Sequence, residues 1–195
     1  MDSTIMPIRL LTTPPAHGIT PKYTLIKSTW GWLGFACRGS RLVRLILPGL
    51  TKTSLSHSFR TAFTNIEYDP EILPQLQKSL RAYFQAKSMV FDCDVDISWA
   101  SPFARKVYKR CSRIPSGRTA TYAQLAEKAG SPQAARAVGT IMAANPTPLI
   151  IPCHRVLRSD GQLGGFSAPG GENLKKRLII HESHILTGTT RPKKL

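Results

Sequence analysis

A chain of 195 residues with 42% hydrophobic content can bury an ordinary core in one or two domains, which excludes a disordered or fibrous protein. It contains no apolar run of about 18 residues, and its start, "MDSTIMPIRLLTTPPAHGITP", lacks the charged beginning and long apolar segment of a secretory signal; a protein that stays inside the cell and makes no membrane contact is expected. A formal net charge of +16 points to a polyanionic partner, nucleic acid ahead of acidic membrane or protein.

Residues 1–21 are rich in Pro and Thr with little periodicity and read as a mobile or loosely attached arm. "YTLIKS", "WLGFACR" and "RLVRLILP" follow as β-compatible runs separated by short turns, an antiparallel meander, and residues 51–69 read as a connecting loop. In "LPQLQKSLRAYFQA", Leu73, Leu76, Leu80, Tyr83 and Phe84 recur at helical spacing and give a face that covers the sheet. "VFDCDVDIS" alternates Phe91, Cys93, Val95 and Ile97 against Asp92, Asp94 and Asp96, the period-2 pattern of a strand with one buried face. These elements make a small α+β domain over residues 22–98.

The pattern then turns helical. Ser101 caps a helix with Pro102 at its first position and Phe103, Val107, Cys111 and Ile114 on one face. Arg105, Lys106, Lys109, Arg110 and Arg113 lie largely elsewhere on its surface, either as a solvated face or as phosphate contacts. Thr121 with Gln124 forms a capping box, Gly130 stops that helix, and Ser131-Pro132 opens a second, so the pair resembles a helix-turn-helix. The second helix, "PQAARAVGTIMAAN", carries small residues and a single arginine, Arg136, and can approach another surface closely while one long side chain projects.

The four cysteines, Cys37, Cys93, Cys111 and Cys153, form no C-x-x-C pair, so reduced thiols are expected and neither a zinc ribbon nor a disulfide framework. Cys153 stands in "IIPCHRVLRSDG", between an apolar run and a His-Arg pair. A thiol attacks as the thiolate and needs a base, and the base needs an orienting group. His154 supplies the first, and Glu182 in "LIIHESH" is a reasonable second among the carboxylates that follow, Asp160, Glu172 and Glu182.

In order along the chain stand "IPSGRTATYAQLA", "AARAVG", "NPTPLIIPCHRV", "GGFS" and "HESH". This set closely resembles the O6-alkylguanine-DNA alkyltransferases, or methylated-DNA-protein-cysteine methyltransferases, from about residue 22 to residue 184, strongly in the C-terminal part and by general pattern before it. The resemblance implies a ribonuclease-H-like α/β domain over residues 22–98 and a mostly helical, winged helix-turn-helix domain over residues 99–186, followed by a basic tail at 187–195. It implies a monomer that binds double-stranded DNA through the minor groove, flips out O6-alkylguanine and takes the alkyl group irreversibly onto Cys153. No cofactor is implied; some members hold a structural zinc in the first domain, for which this sequence shows no ligand cluster. O4-alkylthymine is left open as a further substrate, and the location is cytoplasmic, or nuclear in a eukaryote.

By the same resemblance His154 is the base acting through a bridging water, Glu182 orients it, Tyr122 donates to guanine N3, and Asn145 braces the segment leading to Cys153. Arg136 fills the gap left by the extruded base, with Ala135, Ala137 and Gly139 along the same DNA-facing helix. Pro148, Val156, Phe166 and Ser167 line the substrate pocket, and Phe166 departs from members that carry a tyrosine there. A lesion-binding sensor without transfer is the alternative; relatives of that kind replace the acceptor cysteine, which is present here.

Overall fold

The computed structural model describes residues 8–16 and 18–187. The rest of the expected arm, and the expected tail beyond Thr187, lie outside the described residues. The chain divides between Trp99 and Ala100 into two units.

The first unit contains strands β1 (Arg9–Leu11), β2 (Lys22–Ser28), β3 (Gly31–Arg38), β4 (Arg41–Leu50), β5 (Glu67–Tyr68) and β6 (Asp94–Asp96), with helices α1 (Lys52–Ala62) and α2 (Pro74–Phe84). One six-stranded sheet runs in the order β1-β6-β4-β3-β2-β5. The meander β2-β3-β4 is antiparallel as expected, and β1, β6 and β5 join through parallel pairs, so the sheet is mixed.

Three elements correct the sequence reading. Arg9–Leu11, assigned to a mobile or loosely attached arm, is an edge strand on β6, where the Arg9 guanidinium meets the Asp94 carboxylate at 2.5 Å. Residues 52–62, read as loop, are helix α1: Thr51 caps it by accepting from the Ser54 N–H, and only Leu55 and Phe59 are buried, one helical turn apart. Of the alternating Asp segment only residues 94–96 are strand, and Asp96 is itself buried, its carboxylate accepting from the Ser98 N–H at 2.8 Å.

Leu33 through Cys37 are buried without a break, so β3 is covered on both faces. On one face the Phe59 ring of α1 stacks on Tyr23 at 5.2 Å between centroids, beside Ala36. α2 packs near β2 and buries Leu76, Leu80, Tyr83 and Phe84; Leu73, expected on that face, instead precedes the first turn with a left-handed φ of 44°. Gly34 lies where a Cβ would come within 2.8 Å of Leu25 and Phe59 and 2.9 Å of the Thr24 carbonyl oxygen. Because one of those atoms is backbone, Gly34→Ala is expected to destabilise the protein by about 1–3 kcal/mol, read as a lower urea midpoint at unchanged m-value.

The second unit contains α3 (Pro102–Cys111), β7 (Ala120–Thr121), α4 (Tyr122–Lys128), α5 (Ala135–Ala143), a single 3-10 turn (Cys153–Arg155), β8 (Val156–Leu157) and α6 (Gly171–Thr187). Ser101 caps α3 by accepting from the Ala104 N–H, and the capping box of Thr121 and Gln124 opens α4 with both hydrogen bonds formed. The face of α3 is shifted from expectation: Ala104, Val107, Tyr108 and Cys111 are buried, and Phe103 is only half-buried. α5 begins at Ala135 rather than at Ser131-Pro132, because the Ala134 N–H closes a turn onto the Ser131 carbonyl first. β7 and β8 pair in parallel, Ala120 with Val156 and Thr121 with Leu157. That short ladder holds the first residue of α4, Tyr122, beside the chain that leaves the cysteine turn.

Candidate active site

Between α5 and the 3-10 turn the backbone has no regular hydrogen-bond ladder, and Leu149 is buried with a left-handed φ of 72°. A side chain in that region costs about 1–3 kcal/mol unless its surroundings enforce it. Asn145 does so. Its Oδ1 accepts from the Thr147 N–H at 3.1 Å, and its Nδ2 donates to the Ile151 carbonyl at 2.8 Å and to Cys153 Sγ at 3.1 Å. Partners on both ends fix which way the amide points. The residue that braces the turn therefore also presents an N–H to the sulfur.

All four cysteines are buried and free. Burial pushes the Cys93 thiol up to about 12 and Cys37 up to about 11, and nearby carboxylates add to both shifts. Burial also raises Cys153, but there the Asn145 N–H, the Lys175 ammonium and the backbone N–H groups of residues 153 and 154 favour the thiolate. Cys153 is thus a protonated thiol at rest in surroundings already arranged for its anion.

The next residue, His154, is fully buried, with Nε2 at 2.8 Å from Glu182 Oε1. Glu182 also receives two hydrogen bonds from Arg155, Nε to Oε2 and Nη2 to Oε1, each 2.8 Å. Burial favours protonated Glu182, but the bonds from His154 and Arg155 overcome it and hold the carboxyl at about 2. An ionised carboxylate facing Nε2 places the imidazole proton there, which leaves Nδ1 as the acceptor. Nδ1 is buried and has no protein partner among the described residues. Burial lowers the histidine's pKa despite Glu182, so the ring rests neutral and able to take a proton.

Arg155 itself is anchored by donating to the Ile114 carbonyl at 2.6 Å and to Ser116 Oγ at 2.9 Å. The sequence reading missed it as a site residue although it lies inside "PCHRV". It missed Lys175 too. Lys175 is fully buried on α6, donates to the Leu163 carbonyl, and stands 3.5 Å from the Tyr122 hydroxyl and 5.7 Å from that ring's centroid. The available signal was helical spacing: Lys175, Leu178 and Glu182 share the buried face of α6.

The Tyr122 ring lines an open cleft of about 1030 Å³ that also takes in Ala135, Arg136, Gly139, Phe166 and Ser167. Gly164, with φ of 68°, lets the facing loop approach; a Cβ there would come within 3.3 Å of the Tyr122 ring and hydroxyl. Ala137 is exposed on α5 and does not line the cleft. Pro148 and Val156 are buried and do not line the cleft, and the Val156 N–H donates to the Cys153 carbonyl. Cys153, His154, Asn145 and Glu182 form the buried group, linked to the cleft wall through Lys175 and Tyr122. Among the described residues no three His, Cys, Asp or Glu side chains converge to hold a metal ion, and no helix is long and apolar enough to cross a membrane.

A mixed-sheet unit followed by a helical unit, in which α4 opens on a capping box and α5 follows it closely, defines an α+β protein with a DNA-binding domain: residues 102–184 match the family described as 6-O-methylguanine DNA methyltransferase, DNA binding domain. A methylated-DNA-protein-cysteine methyltransferase of Mus musculus is 36% identical over 184 residues, covering 89% of this chain and 86% of that protein. One from Shigella flexneri is 39% identical over 111 residues, 57% of this chain; the match spans 64% of that relative's length. The crystal structure of Mycobacterium tuberculosis OGT in complex with DNA superposes with a TM-score of 0.71 at 33% identity, over 84% of this chain and 94% of that one. The chain belongs to the methylated-DNA-protein-cysteine methyltransferase family.

Proposed function

We infer that the protein repairs DNA by direct reversal, moving the methyl group of O6-methylguanine in double-stranded DNA onto Sγ of its own Cys153. The observation that carries this reading is the buried chain Asn145-Cys153 and His154-Glu182-Arg155, in the same unit as a cleft lined by Tyr122 and Arg136. The thiol proton passes to His154 Nδ1 through a bridging water, while Glu182 stabilises the imidazolium that forms. The thiolate attacks the methyl carbon in line; the S–C bond forms as the O6–C bond breaks, and the electron pair leaves on guanine. Tyr122 donates a proton to guanine N3. Burial holds its phenol above the ordinary range, so it enters the step protonated.

The product is a thioether, whose S–C bond acid–base chemistry at neutral pH does not cleave, so one molecule repairs one lesion. The target carbon is unreachable inside the stack, and extrusion falls to α5. Its small residues, Ala135, Ala137 and Gly139, permit close approach to the minor groove while Arg136 fills the space of the displaced base. Pro148, Val156, Phe166 and Ser167 shape the receiving pocket.

The mixed sheet with its helices supports a ribonuclease-H-like first domain over 22–98, to which Arg9–Leu11 is attached; the β7–β8 ladder beside α4 and α5 supports a winged helix-turn-helix over 99–186. A monomer acting in the cytoplasm or nucleus without a cofactor completes the reading.

Arg136→Ala tests the extrusion step. Flipping a base costs a few kcal/mol, so loss of the filling side chain is expected to slow transfer from duplex DNA by about 10–100-fold. Transfer from the free O6-alkylguanine base should be unaffected. An unchanged duplex rate would remove Arg136 from the mechanism.

A further inference from the structure

The helix assigned to the groove raises a question of affinity. α5 carries one cation, Arg136, and α4 carries one, Lys128, whereas non-specific hold on DNA comes from neutralised phosphates. Elsewhere in the same unit a cleft of about 390 Å³ is lined by Lys106, Lys109, Arg110, Arg113 and Lys128, closed by Ala129 and Gly130. Its lining holds no carboxylate. All five cations are exposed, and among the described residues none has a carboxylate within ion-pair distance. Five like charges held around one small concavity repel one another, and a polyanion relieves that repulsion.

The cleft also lies at the relevant end of the helix pair. Lys128 closes α4, Gly130 turns the chain with φ of 86°, and α5 starts at Ala135 with Arg136 in its first turn. The chain from Lys128 to Arg136 can span at most about 28 Å, less than one turn of duplex at about 34 Å. We propose that the cleft of Lys106, Lys109, Arg110, Arg113 and Lys128 binds backbone phosphates on the flank of the lesion-bearing duplex, beyond the extruded base. This rests on the reading that the protein binds duplex DNA. The cleft supplies sequence-independent hold while α5, poor in charge, tests each base for extrusion.

The test compares the wild type with a Lys106→Gln, Arg110→Gln, Arg113→Gln variant, all three at exposed positions. Each binds two duplexes with a central O6-methylguanine, one of about 24 base pairs and one of about 8, the shorter reaching only about 14 Å to either side of the lesion. On the long duplex the slope of log K against log salt is expected to fall by about 2–3 in the variant, and on the short duplex, which offers fewer flanking phosphates, to fall by less. Transfer from the free O6-alkylguanine base serves as the folding control and should be equal in the two proteins. Equal slopes on the long duplex would overturn the proposal. So would an equal loss on both lengths, which puts the contacts at the lesion, or a loss confined to conditions with more than one protein per duplex, which assigns the cleft to a second copy. A wild type that neither binds nor alkylates would sink the DNA reading and the cleft together, whereas a competent wild type matched by the variant sinks the cleft alone.

Discussion

Glu182→Gln is expected to slow methyl transfer by about 10²–10⁴-fold, the range associated with an oriented general base. The carboxylate accepts from His154 and twice from Arg155, so removing its charge acts on both. The imidazole loses the partner that sets its tautomer. The Arg155 guanidinium is left buried without a counter-charge, at a cost of about 3–5 kcal/mol. Acid stability follows the same group. With the folded carboxyl at about 2 against an ordinary 4.5, its contribution is complete above pH 4.5 and disappears as pH falls towards 2, on the order of 3 kcal/mol in all. His154, lowered by burial, adds a loss in the same direction that begins as pH falls below 6.5. Urea unfolding of the variant across this range should show a flattened acid limb. Transfer at the wild-type rate would mean that the carboxylate does not orient the base.

Asn145→Ala should be nearly as damaging, for two separable reasons. The Ile151 carbonyl and the Thr147 N–H lose their partner in a buried segment, at about 1–3 kcal/mol for each unsatisfied group. The thiolate loses an N–H held at 3.1 Å, and removal of one such preorganised donor costs about 10²–10³-fold in rate. Asn145→Asp keeps the acceptor for the Thr147 N–H but loses both N–H donations, to the Ile151 carbonyl and to sulfur, and sets a negative charge beside the sulfur, so the effect on the thiol is read from the pH profile rather than from the rate alone. Single-turnover rates for Asn145→Asp should therefore rise with pH over a higher range than those of the wild type. Coincident pH profiles would show that Asn145 only braces the turn.

These contacts mark where the sequence was legible. The capping box of Thr121 and Gln124 is local, spans three residues and depends on little else, so it could be read directly. Cys153, His154, Tyr122 and Arg136 were legible because they stand in an ordered set of short motifs. Arg155 and Lys175 were not: each is a long cation in a basic chain, and only tertiary packing reveals that these two are buried while most others face solvent. The left-handed Leu149 has no local signature, since leucine does not favour that region and the turn is enforced by Asn145 and Thr147. Helix α1 was missed because two buried residues in an otherwise polar stretch give almost no periodic signal. Strand β1 was missed because three residues pair with a partner distant in sequence.

Intact-protein mass after incubation with a duplex carrying one O6-methylguanine tests the central claim most directly, with Cys153→Ala beside the wild type. The expected result is a protein heavier by one methyl substitution, the label mapped to Cys153 and absent from the variant. An unchanged wild-type mass with lesion-selective binding intact would contradict it, and the protein would then be a sensor of alkylated guanine rather than an acceptor of its methyl group.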